Sequence, residues 1–442
     1  MKSKNASLVM IAGALAYLLT VTNRSSMGVA SLLASQKFDV AATSLSTLAV
    51  AQLIVYAVMQ VPVGILLDRF GSKAMLVFGT AVMTGGQFLV AISTELGLAV
   101  VGRMFVGLGD AFVFISVIRL VNGWFVGARA TRVQQLVTNT GQLGQAVSAI
   151  PFAAMLGSYG WSTSFTVLAG ASFAVVFISA IFIVNDREPR SSDHNSPSLK
   201  IVFGQLIDNV KHPGVRMAFW THFVLQSAPS VFSLLWGYPF LVGGQGIEPH
   251  VASLLLSSFV IIGFIVGPLI SLFCANYPQR RSFLILSNVL ALAIVWTMVI
   301  FIPGRAPIWL VVLLCLVLAT SGPMSMIAMD YTRSFIDKSR LGTATGFVNI
   351  GGFVATFSMM FLAGVILDLV KAASSAAGQA AQLYSLNGFR WAMSVQFLVL
   401  IIGTTMFLLE RKKARGKLFL DEGIILRPIG VVISERISRK TR

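Results

Sequence analysis

The stretch Gly64-Ile65-Leu66-Leu67-Asp68-Arg69-Phe70-Gly71-Ser72-Lys73 decides how this sequence folds. It places three charges within six residues, from Asp68 to Lys73. The segments on either side, residues 49–67 and 74–94, contain no charged residue. Each is close to the ~20 apolar residues that a helix needs to cross the hydrocarbon core of a bilayer. The stretch therefore predicts two membrane-spanning helices joined by a tight, charged turn.

The composition of the whole chain indicates a membrane protein. Hydrophobic residues make up 56% of it and charged residues 11%, whereas soluble domains carry roughly 25% charged residues. The formal net charge of +17 comes from Lys and Arg at the short junctions between apolar runs and in the tail after residue 410. This distribution follows the positive-inside rule and argues against nucleic acid as a partner.

Twelve apolar runs are long enough to cross a bilayer, and they must be helical because hydrocarbon satisfies no backbone hydrogen bond. They lie at about residues 7–35, 43–66, 74–94, 97–121, 133–157, 162–184, 217–242, 251–274, 282–302, 308–330, 342–369 and 390–409. If the N-terminus is cytoplasmic, the outer loops hold few basic residues, namely Lys37, Arg305, Lys371 and Arg390. The sequence therefore predicts a multi-pass protein of the cytoplasmic membrane with both termini in the cytoplasm.

A long polar segment in the middle of the chain separates six predicted spans from the other six. The predicted organisation is an N-terminal bundle (1–184), a cytoplasmic linker (185–216), a C-terminal bundle (217–410) and a cytoplasmic tail (411–442). Within the linker, apolar residues recur at helical spacing from Leu199 to Val210. That spacing predicts a helix along the membrane surface.

The spacing G-x-x-x-D-R-x-G-x-K of the opening stretch resembles the loop between helices two and three of the major facilitator superfamily. The resemblance covers about residues 5–410, and residues 23–30 and 60–71 are similar to actinobacterial permeases of unassigned substrate. It implies an all-α membrane protein with twelve transmembrane helices in two pseudo-symmetric bundles. In that family the loop latches the cytoplasmic side, and its acidic residue meets the start of helix eleven. The resemblance thus assigns gating to Gly64, Asp68, Arg69, Gly71 and Lys73, together with Arg340 beside the start of span eleven.

Two charged residues inside span four are candidates for coupling, because charge at membrane depth is costly and usually functional. The segment Arg103-Met-Phe-Val-Gly-Leu-Gly-Asp110 resembles the family's second motif, although the family pattern has no acid at the position of Asp110. Arg103 and Asp110 are seven residues apart and share one helix face. They are predicted either to form a pair in which Asp110 titrates during transport, or to form a static pair that orients span four.

Arg24, deep in span one beside Asn23, is the main candidate for substrate binding. An arginine at that depth needs an anion, either a substrate or a side chain such as Asp110. The resemblance implies that span one lines the central cavity, where organic-phosphate antiporters of the superfamily place a substrate-binding arginine. Those antiporters pair it with an arginine in span seven, which this sequence lacks. The sequence therefore favours a small or singly charged organic anion.

Neutral polar residues on three further spans complete the predicted substrate site. His222 and Gln226 share a face of span seven, and a histidine can carry a proton near neutral pH. Span five offers Asn139 and Gln142, and span two offers Tyr56. The alternative is that these groups are hydrogen-bonded core residues or helix–helix contacts.

Arg119 and Asp330 end spans four and ten at nearly equivalent cytoplasmic positions. We expect them to pair across the two halves when the inner gate closes. The alternative is that each pairs locally, for instance Asp330 with Arg333.

Taken together, these features predict a secondary transporter for a small organic solute, favouring an anion, by alternating access and with proton coupling. The alternatives are a proton antiporter for amphipathic compounds and a membrane sensor or scaffold that kept the fold without transport. No catalytic residue, metal ligand set or cofactor is expected, since the Gly342–Gly352 run lacks the end of a phosphate-binding loop. The protein is expected to act as a monomer.

Overall fold

The computed structural model describes residues 2–125, 127–184, 199–337, 340–378 and 382–422. The regular secondary structure of these residues is helical throughout. The α-helices are α1 (Lys2–Phe38), α2 (Ala42–Ile92), α3 (Leu96–Trp124), α4 (Gly127–Val147), α5 (Ala153–Phe182), α6 (Leu199–Lys211), α7 (Pro213–Val231), α8 (Gly237–Pro239), α9 (Pro249–Asn276), α10 (Arg281–Phe301), α11 (Ile308–Ser325), α12 (Ile327–Phe335), α13 (Leu341–Ala376) and α14 (Leu386–Glu422).

Helix α2 contains two spans, and the predicted turn between them lies at Gly71. The backbone there has φ 81° and ψ 167°, outside the helical region. A positive φ of this size suits glycine, which has no Cβ to clash with the backbone. The predicted turn after span two is therefore confirmed, and Gly71 is the residue that bends the chain.

The structure accounts for all twelve predicted spans, although ten helical segments of the described residues meet a simple length and hydropathy criterion. One of the ten, Asn139–Phe182, holds both spans five and six, which separate at Gly160 with φ 72°. Span seven falls outside the criterion because polar residues such as His222 and Gln226 lower its hydropathy. After α7 it continues through π-helical turns at Phe232–Trp236 and Phe240–Gly244. Such turns mark places where the regular backbone ladder of a helix is broken.

The two predicted halves meet along several pairs of helical segments, including α4 on α9. Helix α2 packs on α13, and α1 packs on the π-helical turn Phe232–Trp236. The helix predicted within the linker is confirmed as α6. The preceding linker residues, 185–198, lie outside the described residues.

Helix α14 continues beyond the end of the last predicted span at residue 409. It runs to Glu422, and Lys413 binds the carboxylate of Glu410 at 2.9 Å, one helical turn away. Pairs at this spacing stabilise a helix. The first part of the predicted tail is therefore a helical extension, and the tail after residue 422 lies outside the described residues.

Candidate functional site

Arg24, Arg103 and Asp110 come together in one cluster between α1 and α3. Arg24 of α1 donates two hydrogen bonds to Asp110 of α3, from Nε to Oδ2 at 2.7 Å and from Nη2 to Oδ1 at 2.8 Å. Asp110 lies about 21 Å along α3 from its outer end, given the rise of a helix. A bidentate bond of this kind is among the stronger hydrogen-bonding arrangements in proteins.

The two members of this pair differ in exposure. The Arg24 side chain is 21% exposed, whereas that of Asp110 is 1% exposed. Gly28, one turn along α1 from Arg24 and on the same face, packs against the backbone of Ser233 in the other half. Arg24 therefore faces the interface between the halves, and Asp110 lies behind it.

Two tyrosines complete the surroundings of Arg24. Its guanidinium carbon lies 5.3 Å from the ring centre of Tyr56 on α2, and Tyr17 of α1 lies within electrostatic range of Arg24. Tyr56 in turn meets Phe353 of α13 edge to face, with ring centres 5.0 Å apart. An aromatic face near a guanidinium stabilises the cation. Tyr56, predicted from the sequence, thus contacts both Arg24 and the other half.

Arg103 has a different environment from the one predicted. It is fully buried and does not bind Asp110 in the hydrogen-bond network of the described residues. Its Nη1 donates to the Asn23 carbonyl at 3.1 Å and to Ser26 Oγ at 3.2 Å, and its Nη2 donates to the Arg24 carbonyl at 3.0 Å. A further bond from Nη2 reaches Gln52 Oε1 on α2.

The physical reason is the helix geometry. Seven residues place Arg103 and Asp110 about 10 Å apart along α3, and the backbone of α1 passes close to Arg103. Arg103 therefore joins α1, α2 and α3, and it presents the segment that carries Arg24. Asp110 consequently pairs with Arg24, the alternative partner considered from the sequence.

The cluster carries a net positive charge. Arg24 and Arg103 contribute two cations, because arginine stays protonated in proteins, and Asp110 contributes one acid. In the sequence, Asp110 is the one acid in the interior of a predicted span, since Asp330 and Asp368 stand at span ends. A net positive site in hydrocarbon favours an anion.

Asn23, predicted to contact substrate, lies on another side of α1. Its side chain is fully buried, and its amide donates to the Leu19 carbonyl at 2.8 Å and to Ser172 Oγ on α5 at 3.0 Å. In this conformation the side chain of Asn23 joins helices within the N-terminal half, and its carbonyl helps to hold Arg103. Its contribution to a binding site is thus through Arg103 and not through its own amide.

The C-terminal half contributes a neutral polar cluster. Gln226 of α7 donates to Ser230 Oγ at 2.9 Å and accepts from Ser325 Oγ of α11 at 2.8 Å. His222, on the same face of α7, is buried with Nδ1 3.4 Å from the Ser325 carbonyl. Gly352 of α13 packs against both side chains. The structure therefore brings the predicted pair of span seven together, with partners from spans ten and eleven.

The residues predicted from span five lie on α4. Gln142 is exposed and Asn139 is half-buried. Gly141, beside Gln142, packs directly on the Tyr17 ring, and Tyr17 lies within electrostatic range of Arg24. Helix α4 thus abuts the central cluster through Tyr17, and binding by Asn139 and Gln142 stays a prediction.

At the end predicted to face the cytoplasm, two of the predicted gating residues have local partners. Asp330 lies 3.4 Å from Arg333, the local pairing considered as an alternative. Arg340 lies 3.6 Å from Asp208 of α6, and Asn209 of α6 donates to Thr343 Oγ1 at 3.2 Å. The linker helix therefore occupies the start of α13 in this conformation.

The remaining gating predictions concern the Gly64–Lys73 stretch and Arg119. Arg69 is exposed, with its guanidinium 5.4 Å from the Phe70 ring centre. The Asp68 side chain lies outside the described part of the structure. The latch of Asp68 at the start of span eleven and the Arg119–Asp330 gate therefore stay predictions.

Comparison with known proteins fits this arrangement. The sequence model of the Major Facilitator Superfamily matches residues 13–355 and 218–436. The chain belongs to this superfamily.

Two relatives within the Major Facilitator Superfamily illustrate the likeness. A hexuronate transporter of Bacillus subtilis strain 168 is 22% identical over 382 residues, which cover 81% of this chain and 86% of the relative. A probable galactarate/D-glucarate transporter of Escherichia coli K12 is 25% identical over 303 residues, covering 60% of this chain and 66% of the relative. These relatives are transporters and not enzymes.

A solved structure shows the same fold. A bacterial homologue of the human lysosomal transporter Spinster, in an inward-facing and unoccupied conformation, matches with a TM-score of 0.74 at 12% identity. The match covers 92% of this chain and 97% of the other. The prediction of a twelve-helix, all-α membrane protein of this superfamily is therefore confirmed.

On this superfamily fold, one acidic residue joins the halves at the outer end. The carboxylate of Asp368, near the end of α13, accepts from the backbone nitrogens of Ala42 and Thr43 at 2.8 Å each, and from Thr43 Oγ1 at 2.6 Å. These are free amides at the start of α2, where a carboxylate is favoured by the helix dipole. Asp368 therefore caps a helix of the opposite half.

Two glycines let the halves come close beside this cap. A Cβ on Gly28 would overlap the carbonyl oxygen of Ser233, and a Cβ on Gly364 would lie 2.9 Å from the Ala42 carbonyl oxygen. Small residues permit such close helix contacts in membranes. At the end that the sequence predicts to face outward, the halves are thus in direct backbone contact.

The sequence analysis missed Asp368 and Tyr17, and each left a signal. Asp368 is an acid at the outer end of a span, where loops hold few charges, and its partner is distant in sequence. Tyr17 lies two turns before Arg24, hence on the same face of α1. A search for polar residues in register with Arg24 finds Tyr17, whereas only the packing of the halves reveals the partner of Asp368.

Proposed function

We propose that this protein is a secondary transporter that carries a small organic anion across the cytoplasmic membrane together with a proton. The observation that carries the proposal is the Arg24–Asp110 pair, in which the partly exposed cation faces the interface between the halves and the buried acid lies behind it. The net positive charge of the cluster supports an anionic substrate.

The pair also supports a mechanism for proton coupling. While Asp110 is ionised, its carboxylate accepts hydrogen bonds from Nε and Nη2 of Arg24, so these two donors are not available to a substrate. Protonation of Asp110 removes the charge that competes with a substrate carboxylate, so Arg24 becomes free to bind it. A proton and an anion then favour each other's binding, as linkage requires of two ligands whose sites are coupled. The result is symport of one with the other.

The named relatives support a substrate class. One is a hexuronate transporter and another a probable galactarate/D-glucarate transporter. Sugar acids of this kind combine a carboxylate with several hydroxyl groups. Arg24 suits the carboxylate, while Gln226 and the serines around it supply neutral donors and acceptors for hydroxyls.

Alternating access is supported by the contrast between the two ends of the interface. The outer end is closed by the Asp368 cap, while Asp330 and Arg340 at the inner end bind partners within the C-terminal half and the linker helix. Rocking of two bundles about a central site is the usual transport cycle of such folds. The distribution of Lys and Arg supports cytoplasmic termini.

The test is uptake into proteoliposomes containing the purified full chain. Radiolabelled glucuronate and galactarate are offered outside, with an inward proton gradient or with equal pH on both sides. We expect accumulation above the outside concentration with the gradient, and equilibration alone without it. Protein-free liposomes and a potassium diffusion potential at equal pH are the controls.

Other outcomes would reject parts of the proposal. Flux of a sugar acid that ignores the pH gradient would remove proton coupling. Flux of a lipophilic cation in place of an acid would favour the antiporter for amphipathic compounds. A protein that binds an acid, as judged by thermal stabilisation, and moves none of it would fit the sensor.

A further inference from the structure

Four arginines converge at the cytoplasmic ends of α10, α12 and α14. Arg280 and Arg281 stand at the start of α10, and Arg411 and Arg415 lie on the extension of α14. Arg281 lies over the ring of Tyr331 of α12, with its guanidinium carbon 5.7 Å from the ring centre. Arg411 and Arg415 act electrostatically on the same tyrosine. We call these four residues the arginine cluster.

The cluster has an excess of positive charge. Arg415 is near enough to Arg411 and Arg280 to feel the charge of both. The nearby acids have other partners, because Asp330 binds Arg333 at 3.4 Å and Glu410 binds Arg216 and Lys413 at 2.9 Å each. Neighbouring arginines whose nearby acids are paired elsewhere suit a bound anion with several oxygens.

Arginine donors without a hydrogen-bond partner also favour a bound anion at the arginine cluster. Arg281 donates from Nη1 to the Asp330 carbonyl at 3.2 Å and to Ser334 Oγ at 2.8 Å. The Nε atoms of Arg281 and Arg411 are buried and make no hydrogen bond within the described structure. Buried donors without a partner are unfavourable, and an anion with several acceptor oxygens would satisfy them.

The position of the cluster indicates what kind of anion. Exposed apolar side chains continue from it along both helices, Phe283 and Leu290 on α10 and Leu408 and Leu409 on α14. These side chains belong to the spans and face hydrocarbon, whereas the arginines stand at the cytoplasmic headgroup level. A ligand that matches both surfaces has a phosphate head and acyl chains.

We propose that the arginine cluster binds the headgroup phosphate of an acidic phospholipid of the cytoplasmic leaflet, with its acyl chains along α10 and α14. Planar guanidinium groups match phosphate oxygens in pairs. Basic sites between membrane helices on this side of a bilayer suit anionic lipid headgroups. The bound lipid would join the cytoplasmic ends of spans nine, ten and twelve.

The experiment measures lipid binding to the full chain in detergent by native mass spectrometry. The probes are dioleoyl phosphatidylglycerol, dioleoyl phosphatidylcholine and inorganic phosphate. The test variant is the double substitution R411Q/R415Q, and the matched control is K412Q/K417Q, which removes two exposed charges from the same helix. A third variant, R411K/R415K, keeps the charge and removes the planar fork.

We expect the unaltered protein to retain phosphatidylglycerol in preference to phosphatidylcholine, and R411Q/R415Q to bind it about 30-fold more weakly. The control should lose no more than about threefold, and R411K/R415K should fall between the two. Equal loss in the control would show a diffuse surface charge effect and overturn the site. Equal binding of both lipids, or full competition by millimolar inorganic phosphate, would also overturn it, the latter in favour of a soluble anion.

Folding is checked separately. If R411Q/R415Q fails to give a monodisperse protein, the single variant Arg280→Gln at the entry of α10 replaces it, with Lys412→Gln as its control. A loss of phosphatidylglycerol binding confined to Arg280→Gln supports the proposal, and equal binding by both single variants contradicts it.

Discussion

The two halves of this transporter place very different chemistry at the same membrane depth. The N-terminal half holds two arginines and an acid in one hydrogen-bond network, whereas the corresponding residues of the C-terminal half are neutral: His222, Gln226, Ser230 and Ser325. The charges of the central cluster therefore belong to one half, and the proposed mechanism places the coupling proton there too. The other half supplies a neutral wall that can close on a bound molecule without moving a charge through hydrocarbon.

The largest effect should come from removing the cation of the charged half. Arg24→Gln leaves Asp110 buried without its partner, and breaking a buried pair costs about 3–5 kcal/mol. We expect sugar-acid uptake to fall at least about 100-fold and the melting temperature to drop. Initial uptake rates and thermal unfolding of the purified protein measure the two effects.

A second variant separates stability from binding. In Arg24→Gln/Asp110→Asn both partners are neutral amides, so the melting temperature should recover while uptake stays low. Recovery of uptake in the double variant would show that Arg24 serves only to neutralise Asp110. The charge of the N-terminal half would then have no role in binding the substrate.

Asp110→Asn alone should uncouple the transporter. The variant mimics the protonated acid, so Arg24 remains free for the anion and exchange of substrate across the membrane continues. Accumulation driven by a pH gradient should disappear, and affinity should stop weakening as pH rises through the titration of Asp110. The measurements are counterflow and gradient-driven uptake in the same liposomes. Retained gradient-driven accumulation would place the coupling proton elsewhere.

A smaller effect is expected from the neutral half. Gln226→Ala removes a side chain that the proposal assigns to a substrate hydroxyl, and one such hydrogen bond is worth about 1 kcal/mol, so KM should rise about fivefold. The pH dependence of uptake should stay as it is in the unaltered protein. His222→Gln tests whether the C-terminal half takes part in proton coupling. An altered pH dependence of uptake in this variant would show that it does.

The smallest effect should come from Asp368→Asn at the outer end. Asparagine also caps a helix, but it keeps only one of the two oxygens that accept from Ala42 and Thr43. The variant therefore loses one accepting oxygen together with the charge near the α2 dipole, about 1 kcal/mol net. The closed outer state should become up to about fivefold less populated. Spin labels at Asp39→Cys and Lys371→Cys, in a background without Cys274 and Cys315, report the distance between the halves.

The same spin-labelled protein carrying Asp368→Ala tests the cap itself. Alanine removes the acceptor as well as the charge, so the opening should exceed that of Asp368→Asn. If both variants give the distance distribution of the unaltered protein, Asp368 does not hold the outer end closed.

Much of the fold was accessible from the sequence because each span must satisfy its backbone locally. The turn at Gly71, the linker helix α6 and the number of spans followed from length, charge and glycine placement. The π-helical turns after α7 did not, because Pro229, Gly237 and Pro239 mark a disturbance without specifying its register.

The candidate site was predictable residue by residue but not in its pairings. Arg24, Arg103 and Asp110 were found because charges are rare in spans. In the structure Asp110 binds Arg24, and Arg103 binds the backbone of α1. These pairings depend on how α1 crosses α3, so the spacing of residues along one helix cannot predict them. Asn23 could not be placed from the sequence for the same reason. It is next to Arg24 in the chain, but its side chain contacts a different helix.

The cap made by Asp368 has a consequence for the speed of the cycle. Its partners are helix-end amides and a hydroxyl, groups that water hydrates readily once they separate. Opening therefore replaces hydrogen bonds within the protein by hydrogen bonds to water. It leaves no cation buried without its partner. A closure of this type lies in a shallow free-energy well, so in the proposed cycle we expect the opening of this end not to limit the turnover rate.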